Sequence, residues 1–332
     1  MSELAVELKD LRVEFLAPGR RIEAVNGVDL QLRQGEVVAL IGESGSGKSV
    51  TLRTVMRLHA ERHTRITGTL EVNGRDVLGM SARALADLRG KEVAMIFQEP
   101  LLALDPVYTV GAQIVEAIRR HEGASRAEAQ ARALALFEKV RIPSPQRRLS
   151  TYPHEMSGGM RQRAMIALAL ACHPKVLLAD EPTTALDATV QIQILLLLRE
   201  LQRDLGLSVI FVTHDIGAAV EVADRIAVMY AGRIVEEGTA RDLILAPRHP
   251  YTIALLRSRA HGAMTRGTRL ETIGGSPPDL SALPPGCAFA ARCTLATDAC
   301  RAAQPVPVEV SPGHHARCIH TDAAAAIAPM HT

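Results

Sequence analysis

A glycine-rich segment at Gly42–Ser49, with the sequence GESGSGKS, constrains the fold of this chain more strongly than its composition does. It follows the pattern G-x-x-x-x-G-K-[ST] of phosphate-binding loops. The apolar run Val37–Ile41 precedes it, which is typical of a parallel strand buried on both faces. Residues 50–58 follow without glycine or proline and can continue as a helix. The sequence therefore predicts a strand, an anion-binding loop and a helix in that order.

The residues of this loop have separate expected roles in binding a nucleotide. Its glycines let successive backbone N–H groups turn toward phosphate oxygens, and the N-terminal dipole of the following helix adds to the attraction. Lys48 is expected to reach the β- and γ-phosphates, and Ser49 to bind a magnesium ion. The expected nucleotide contacts in this region are Gly42, Ser44, Gly45, Ser46, Gly47, Lys48, Ser49 and Val50. The plainer alternative is an ordinary glycine- and serine-rich turn.

Three further apolar runs end in polar residues. These are Val93–Phe97 before Gln98, Val176–Ala179 before Asp180 and Glu181, and Val209–Thr213 before His214. Because ligands bind along the edge where parallel strands finish, we expect these side chains to gather at one site. Singly, each one is more often an ordinary strand end.

The chemistry of these strand ends fits nucleotide hydrolysis. Asp180 suits a magnesium ligand, and Glu181 suits a carboxylate that orients or deprotonates the attacking water. Gln98 and His214 are expected to approach the γ-phosphate from either side, Gln98 also as a magnesium ligand. The predicted catalytic residues are therefore Glu181, His214 and Gln98.

A second anion-binding pattern is the Ser157-Gly158-Gly159 stretch, which no strand precedes. Ser157 is expected to cap a helix that runs through Ala164 to Ala171, with glycines that leave the first N–H groups open to an anion. The chain has one phosphate-binding loop, so we expect this site to serve a nucleotide held by a partner subunit. Plain helix capping is the alternative.

Over about residues 5–240 these motifs resemble those of ATP-binding-cassette (ABC) ATPases. The resemblance identifies Walker A with Gly42–Ser49, the glutamine loop with Gln98, the signature with Met156–Met160, Walker B with Val176–Asp180 followed by Glu181, the D-loop with Thr184–Asp187 and the switch histidine with His214. The signature departs from the usual LSGGQ at its first and last positions but keeps Ser-Gly-Gly. By the same resemblance Asp187 belongs to the nucleotide site, and Phe15 stacks on adenine or, equally, packs in the core.

The resemblance implies an α/β fold of the P-loop NTPase type. It consists of a parallel sheet, an antiparallel β subdomain and a helical subdomain at about residues 99–165, where the sequence predicts helices at 110–119 and 126–140. The nucleotide-binding domain would span residues 1–240, and residues 241–332 would form a C-terminal extension.

The extension contains four of the five cysteines, at Cys287, Cys293, Cys300 and Cys318. Cys172 lies in an apolar stretch that is predicted to be a helix, and it is expected to be buried in the core. The extension is short and rich in proline, so we expect it to need a cross-link between its segments in order to fold. In a reducing cytoplasm a bound metal is favoured over disulfides for this role. The spacing C-x5-C-x6-C-x17-C lacks the paired C-x2-C motifs that are usual in zinc ribbons, which favours a [4Fe-4S] cluster. Zinc, with His314, His315 or His320, and free cysteines remain the alternatives.

The HPYT stretch at His249–Thr252 and the GC-x4-RC pattern at Gly286–Cys293 resemble the tail of ATPases from oligopeptide and dipeptide importers. The resemblance implies ATP and Mg²⁺ as ligands, a second ATPase subunit in a heterodimer, two transmembrane permease subunits and an extracytoplasmic peptide-binding protein. Nickel or glutathione importers are alternatives within the same family. A soluble non-transport ABC ATPase, a P-loop kinase and an iron–sulfur redox sensor are the alternatives outside it.

The resemblance implies a peripheral subunit at the cytoplasmic face of the inner membrane, and composition agrees with this expectation. No apolar run reaches the 18 or so residues that span a bilayer, and the acidic N-terminus does not resemble a signal peptide. The net charge of +2 and the absence of a block of lysine and arginine do not favour nucleic-acid binding.

Overall fold

A computed structural model describes residues 3–184, 186–258 and 272–328. The parts of the predicted domain and extension at residues 1–2, 185, 259–271 and 329–332 lie outside the described residues, and so does Ala185 of the D-loop. The strands are β1 Leu4–Ala17, β2 Arg20–Arg33, β3 Val37–Ile41, β4 Thr64–Val72, β5 Arg75–Asp76, β6 Val93–Ile96, β7 Val176–Asp180, β8 Ser208–Thr213, β9 Arg225–Tyr230, β10 Arg233–Thr239, β11 Val308–Ser311 and β12 His314–Ala316. The helices are α1 Lys48–Val55, α2 Ala82–Lys91, α3 Pro100–Ala103, α4 Val110–Glu122, α5 Arg126–Lys139, α6 Pro145–Leu149, α7 Gly158–Ala169, α8 Ala188–Leu205, α9 Ile216–Val222, α10 Ala240–Leu245, α11 Pro250–Arg257, α12 Asp298–Ala302 and α13 Thr321–Ile327.

The larger sheet has the strand order β11-β12-β10-β9-β3-β8-β7-β6. Strands β9, β3, β8, β7 and β6 are parallel, and β10, β12 and β11 continue the sheet in antiparallel pairing. Every residue of β3, β6, β7 and β8 is buried, as the continuous apolar runs predicted. The predicted parallel sheet is confirmed.

A second, antiparallel sheet has the order β2-β1-β4-β5. Its apolar face shares one core cluster with α1 and with one face of the larger sheet, including Leu8, Val25, Leu52 and Leu70. This arrangement confirms the antiparallel β subdomain and places α1, with the loop before it, between the two sheets.

The segment after β6 is helical. Helix α4 begins at Thr109, whose side chain accepts a hydrogen bond from the Ala112 N–H, and α5 begins with a capping box formed by Ser125 and Glu128. The helices predicted at 110–119 and 126–140 are confirmed. Cys172 is buried as predicted, but it lies in the turn after α7 because that helix ends at Ala169.

The C-terminal extension is attached to the larger sheet. Strand β12 pairs with β10, and β11 pairs with β12. The buried ring of Phe289 packs 5.3 Å, between ring centroids, from both Tyr230 at the end of β9 and Tyr251 in α11. The extension is therefore joined to the core by backbone pairing and by an aromatic cluster.

None of the helices in the described parts of the chain is long and apolar enough to cross a membrane.

Candidate functional site

The loop between β3 and α1 depends on two of its glycines. Gly42 has a φ of 151°, and a Cβ atom there would lie 2.1 Å from the carbonyl oxygen of Met229. Gly47 has a φ of 104°, and a Cβ atom there would lie 2.4 Å from the carbonyl oxygen of Ala24. A side chain at either position would collide with backbone of a neighbouring strand, so the glycines allow the loop to lie close to both sheets.

Lys48 and Ser49, the first residues of α1, are fixed by polar contacts within the site. The Lys48 Nζ donates hydrogen bonds of 2.8 and 2.9 Å to the carbonyl oxygens of Gly42 and Glu43. Burial lowers the pKa of Lys48, although nearby carboxylates oppose this shift. The Ser49 hydroxyl donates a 2.7 Å bond to Oδ1 of Asp180 at the end of β7.

Asp180 is fully buried, and its second oxygen, Oδ2, has no hydrogen-bond partner among the described residues. The Arg53 guanidinium lies 3.7 Å from it. Burial raises the pKa of Asp180, and the hydrogen bond from Ser49 opposes that shift. A carboxylate oxygen without a hydrogen-bond donor, beside a serine hydroxyl, is the kind of donor set that Mg²⁺ binds, so these residues fit the predicted magnesium site.

Glu181 is the point at which the other predicted catalytic residues meet. Its Oε2 accepts hydrogen bonds from Nε2 of Gln98 at 3.3 Å and from Oγ1 of Thr184 at 3.0 Å, and it lies 3.2 Å from Nδ1 of His214. Its φ of 46° is a left-handed conformation that is strained for a residue with a side chain. Three strand ends thus place Gln98, Glu181 and His214 together.

A cleft of about 690 Å³ connects these groups. It is lined by Phe15, Ile22, Ala24, Ser44, Gly45, Gly47, Lys48, Ser49, Val50, Gln98, Glu181, His214 and Leu280. Phe15, Ile22 and Leu280 supply large apolar side chains, the loop supplies backbone N–H groups, and Gln98, Glu181 and His214 supply polar ones. The cleft therefore offers both an apolar wall for a base and polar groups for phosphates.

Leu280 was not predicted, because it belongs to the proline-rich stretch of the extension. The Glu23 N–H donates a 2.9 Å bond to the Leu280 carbonyl, and Asp279 pairs with Arg20 at 2.9 Å. These contacts hold the stretch against β2, and no sequence pattern pointed to them. Phe15 lines the same cleft and also packs edge-on against His59, with ring centroids 5.3 Å apart.

The signature residues are located elsewhere. The Ser157 hydroxyl accepts a 3.3 Å hydrogen bond from the Met160 N–H and caps α7, as predicted. Asp187 caps α8 in the same way through the Val190 N–H, at 2.9 Å. None of Ser157, Gly158, Gly159 or Asp187 is among the described residues that line the cleft. Ser157, Gly158 and Asp187 are exposed to solvent.

The four cysteines of the extension meet around one small cavity of about 20 Å³, which His249 and His320 also line. The Cys287 N–H donates a 2.7 Å bond to the Cys300 carbonyl, which joins two of the segments. Burial raises the pKa values of Cys287 and Cys293, and that of Cys318 to about 11. Within residues 3–184, 186–258 and 272–328, no set of three or more His, Cys, Asp or Glu side chains is arranged to hold a metal ion.

Of the histidines considered as zinc ligands, only His320 lines this cavity. The Nε2 of His314 instead lies 2.8 Å from Oε1 of Glu236, in a pair that is almost fully buried. The same glutamate accepts hydrogen bonds from the N–H groups of Arg248 and His249, at 2.6 and 2.9 Å. Glu236 thus joins β10 to both the HPYT stretch and β12.

Comparisons with known proteins agree with this geometry. Residues 25–184 match the ABC transporter family, and residues 235–300 match the C-terminal region of oligopeptide/dipeptide transporters. The chain is 30% identical to the ATP-binding cassette MJ0796 in its dimeric structure bound to ADP and Pi, with a TM-score of 0.64 over 71% of this chain and 99% of that one. These matches define an ABC ATPase.

Two relatives narrow the class. A putative peptide import ATP-binding protein of Brucella melitensis is 49% identical over 95% of this chain and 96% of its own length. The oligopeptide transport ATP-binding protein OppD of Salmonella typhimurium is 45% identical over 96% of this chain and 94% of its own length. The chain belongs to the ABC ATPases of the oligopeptide/dipeptide transporter family.

Proposed function

We propose that this chain hydrolyses ATP in a nucleotide-sandwich dimer and thereby powers the import of dipeptides or oligopeptides. The observation that carries the proposal is the meeting of Gln98, Glu181 and His214 beside the Ser49–Asp180 pair, at the polar end of the cleft. The peptide cargo is supported by the relatives named above, a putative peptide import ATP-binding protein and an oligopeptide transport ATP-binding protein. Nickel and glutathione are alternative cargoes, and a soluble ABC ATPase outside transport is the alternative class.

In the proposed reaction the adenine lies against Phe15 and the phosphates lie over the loop of residues 42–49. Magnesium, held by Ser49, Asp180 and Gln98, would neutralise charge on the β- and γ-phosphates. Glu181 accepts a proton from the attacking water as the bond from that water to the γ-phosphorus forms and the bond to the bridging oxygen breaks, which gives ADP and inorganic phosphate. His214 and Gln98 orient Glu181 and the γ-phosphate.

We also propose that the signature acts on the nucleotide of the partner subunit. Ser157 and Gly158 are exposed at the start of α7, and neither belongs to the chain's own cleft. A helix start with free N–H groups is an anion site. In a dimer, Ser157, Gly158, Gly159 and Asp187 would close over the phosphates of the other subunit.

The dimer is tested by changing Ser157 to Arg in the assembled transporter. ATP should still bind at Lys48 of the changed chain, whereas hydrolysis of the nucleotide held by the partner should be lost. Val220→Arg, on the exposed side of α9, is a control that should leave hydrolysis intact. Equal hydrolysis at both sites in the Ser157→Arg complex would contradict the dimer.

The remaining partners are part of the proposal. A second, different ATPase subunit, two transmembrane permeases and an extracytoplasmic peptide-binding protein would complete the complex, with this chain at the cytoplasmic membrane face. Leu101, Val107 and Tyr108 are 49%, 71% and 58% exposed, in the segment between β6 and α4. This apolar surface supports docking of a permease helix. We place the division between cassette and extension at about residue 240.

The transport function is tested by reconstituting the chain with permeases and a second ATPase from the same organism. Peptide presented by the binding protein should stimulate ATP hydrolysis, and Lys48→Ala should abolish both hydrolysis and uptake. If nickel or glutathione, and not peptide, stimulated ATP hydrolysis, that compound would be the transported cargo. An active ATPase that assembles with no permease would contradict the transport function.

We further propose that Cys287, Cys293, Cys300 and Cys318 hold a [4Fe-4S] cluster, with zinc as the alternative. Their convergence on one cavity and the thiol donor set support it. The group would anchor the extension, because binding links segments that lie apart in the sequence. Anaerobically purified protein should be brown and carry about four iron atoms per chain.

The cysteine site has a matched control in Cys172, which is buried away from the extension. Changing any one of the four cysteines to Ser should bleach the protein, while Cys172→Ser should not. Since the unliganded thiols have raised pKa values, protons compete with the metal, and the group should be lost as the pH falls. One stoichiometric zinc would favour the alternative, and metal-free protein would contradict both.

A further inference from the structure

Arg292 of the extension binds the phosphate-binding loop directly. Its Nη1 and Nη2 donate hydrogen bonds of 2.6 and 2.9 Å to the two carboxylate oxygens of Glu43, the second residue of the loop. The Arg292 side chain is only 3% exposed. A bidentate pair with one partner this well buried is among the stronger polar contacts in proteins, and it has a fixed geometry.

The arginine is itself held in place from several sides. Its Nε donates a 2.8 Å bond to the carbonyl oxygen of Gly274, and Nη2 donates a 3.2 Å bond to that of Ile273. Its guanidinium carbon lies 5.8 Å from the ring centroids of both Tyr230 and Phe289. Arg292 therefore transmits the position of the extension to Glu43 and is not a loose surface side chain.

Glu43 is fixed at all of its polar groups. Its carboxylate accepts from Arg292, its N–H donates a 2.8 Å bond to the Tyr251 hydroxyl, and its carbonyl accepts the 2.9 Å bond from Lys48. Two of these three partners come from residues after position 240. The backbone of a loop that must wrap around phosphates is thus shaped in part by the extension.

We propose that Arg292 is a positioning residue for the phosphate-binding loop, and that it couples order in the C-terminal extension to the affinity for ATP. The proposal deepens the proposed ATPase function and rests on it. Arg292 is followed directly by Cys293, which lines the cysteine cavity. A change in the packing of that cavity is therefore passed to Glu43 through one residue.

The test measures Mg-ATP affinity and the Michaelis constant for ATP in the full chain and its complex, with Arg292→Met, Arg292→Lys and Glu43→Gln. Arg292→Met should weaken ATP binding by about five- to 150-fold, the range typical of coupling between two sites. The Michaelis constant should rise with little change in the maximal rate, because the reacting groups stay in place. Arg292→Lys should bind ATP more tightly than Arg292→Met, since lysine keeps the positive charge but cannot form the bidentate pair of a guanidinium group.

Arg301→Met is the matched control. Arg301 lies in the same extension and pairs with Asp298 at 3.0 Å, but both side chains are exposed. It should bind ATP like the parent. The double variant Glu43→Gln/Arg292→Met should bind ATP no more weakly than either single variant, because both remove the same contact.

Coupling is reciprocal, so a non-hydrolysable ATP analogue should slow hydrogen exchange at residues 287–293 in the parent and in Arg301→Met, but not in Arg292→Met. Parent-like affinity in Arg292→Met, additive losses in the double variant, or an equal loss in Arg301→Met would each overturn the proposal. If the parent itself failed to bind ATP, the proposed function would fail instead.

Discussion

The cassette and the C-terminal extension are stabilised in different ways. In the cassette, strands such as β3 and β8 are buried along their whole length between helices and a second sheet. In the extension, the described residues 272–328 form short strands and helices that are attached by the pairing of β12 with β10, by Phe289 and by a few buried polar contacts, above all those of Glu236 in β10 and of Arg292. Continuous apolar burial distributes stability over many residues, whereas the extension concentrates it in single contacts.

The largest expected effect is on catalysis within the cassette. Changing Glu181 to Gln should lower ATP turnover by roughly 10² to 10⁴, the range for loss of a general base, while the midpoint of thermal unfolding stays unchanged. Steady-state ATPase assays and calorimetry measure the two quantities. Glu221→Gln, at an exposed position on α9, is the control and should affect neither. Near-normal turnover in Glu181→Gln would contradict the assigned role.

The next effect concerns the attachment of the extension. Changing Glu236 to Ala removes the acceptor of the buried His249 N–H, of the partly buried Arg248 N–H and of the buried His314 ring. The free energy of unfolding of the extension should fall by about 3–5 kcal/mol, as for breaking a buried polar pair. Proteolysis and hydrogen exchange should show the extension loosening while the cassette stays folded.

Asp298→Ala removes an exposed ion pair of the same extension, and it should cost at most about 1 kcal/mol. If Glu236→Ala melts the cassette and the extension together, or if its loss of stability equals that of Asp298→Ala, the two regions are stabilised in the same way.

The smallest effect is expected at the apolar wall of the cleft. Leu280→Ala should weaken ATP binding about three- to tenfold, since roughly 1 kcal/mol of apolar contact is lost. Arg20→Ala removes the exposed pair with Asp279 that holds the same stretch, and it should change affinity much less. Fluorescence titration with an ATP analogue distinguishes them. Equal losses would indicate that the stretch acts only through its position on β2.

The sequence predicted those parts of the site whose chemistry is encoded locally. The pattern around Lys48 and the polar residues after each apolar strand, such as Asp180 and His214, are short-range signals, and parallel pairing is enough to bring them together. The helix cap at Ser157 is local in the same sense. For these residues the expected positions agree with the structure.

The contacts between extension and cassette could not be predicted in this way. Arg292 and Glu43 are separated by 249 positions. Glu43 lies in the phosphate-binding loop and Arg292 in the GC-x4-RC pattern, but neither pattern indicates that the two side chains pair. In the sequence, Glu236 resembles any carboxylate within a strand, and nothing around it indicates its buried contacts. The short, proline-rich composition favoured a metal as the group that orders the extension, with free cysteines as an alternative, and the structure also joins the extension to the core through β12 and Phe289. Pairing with an existing strand needs little apolar surface, so composition alone understates the stability of such a segment.

The pairing of β12 with β10 has a consequence for any shortened form of this protein. A chain ending after Arg257 would leave the backbone of β10 without the partner that it has at Glu236 and Glu237. An open strand edge beside a sheet this apolar is a template for intermolecular pairing. The shortened ATPase should therefore self-associate, and the extension would prevent this aggregation by pairing with the edge of β10.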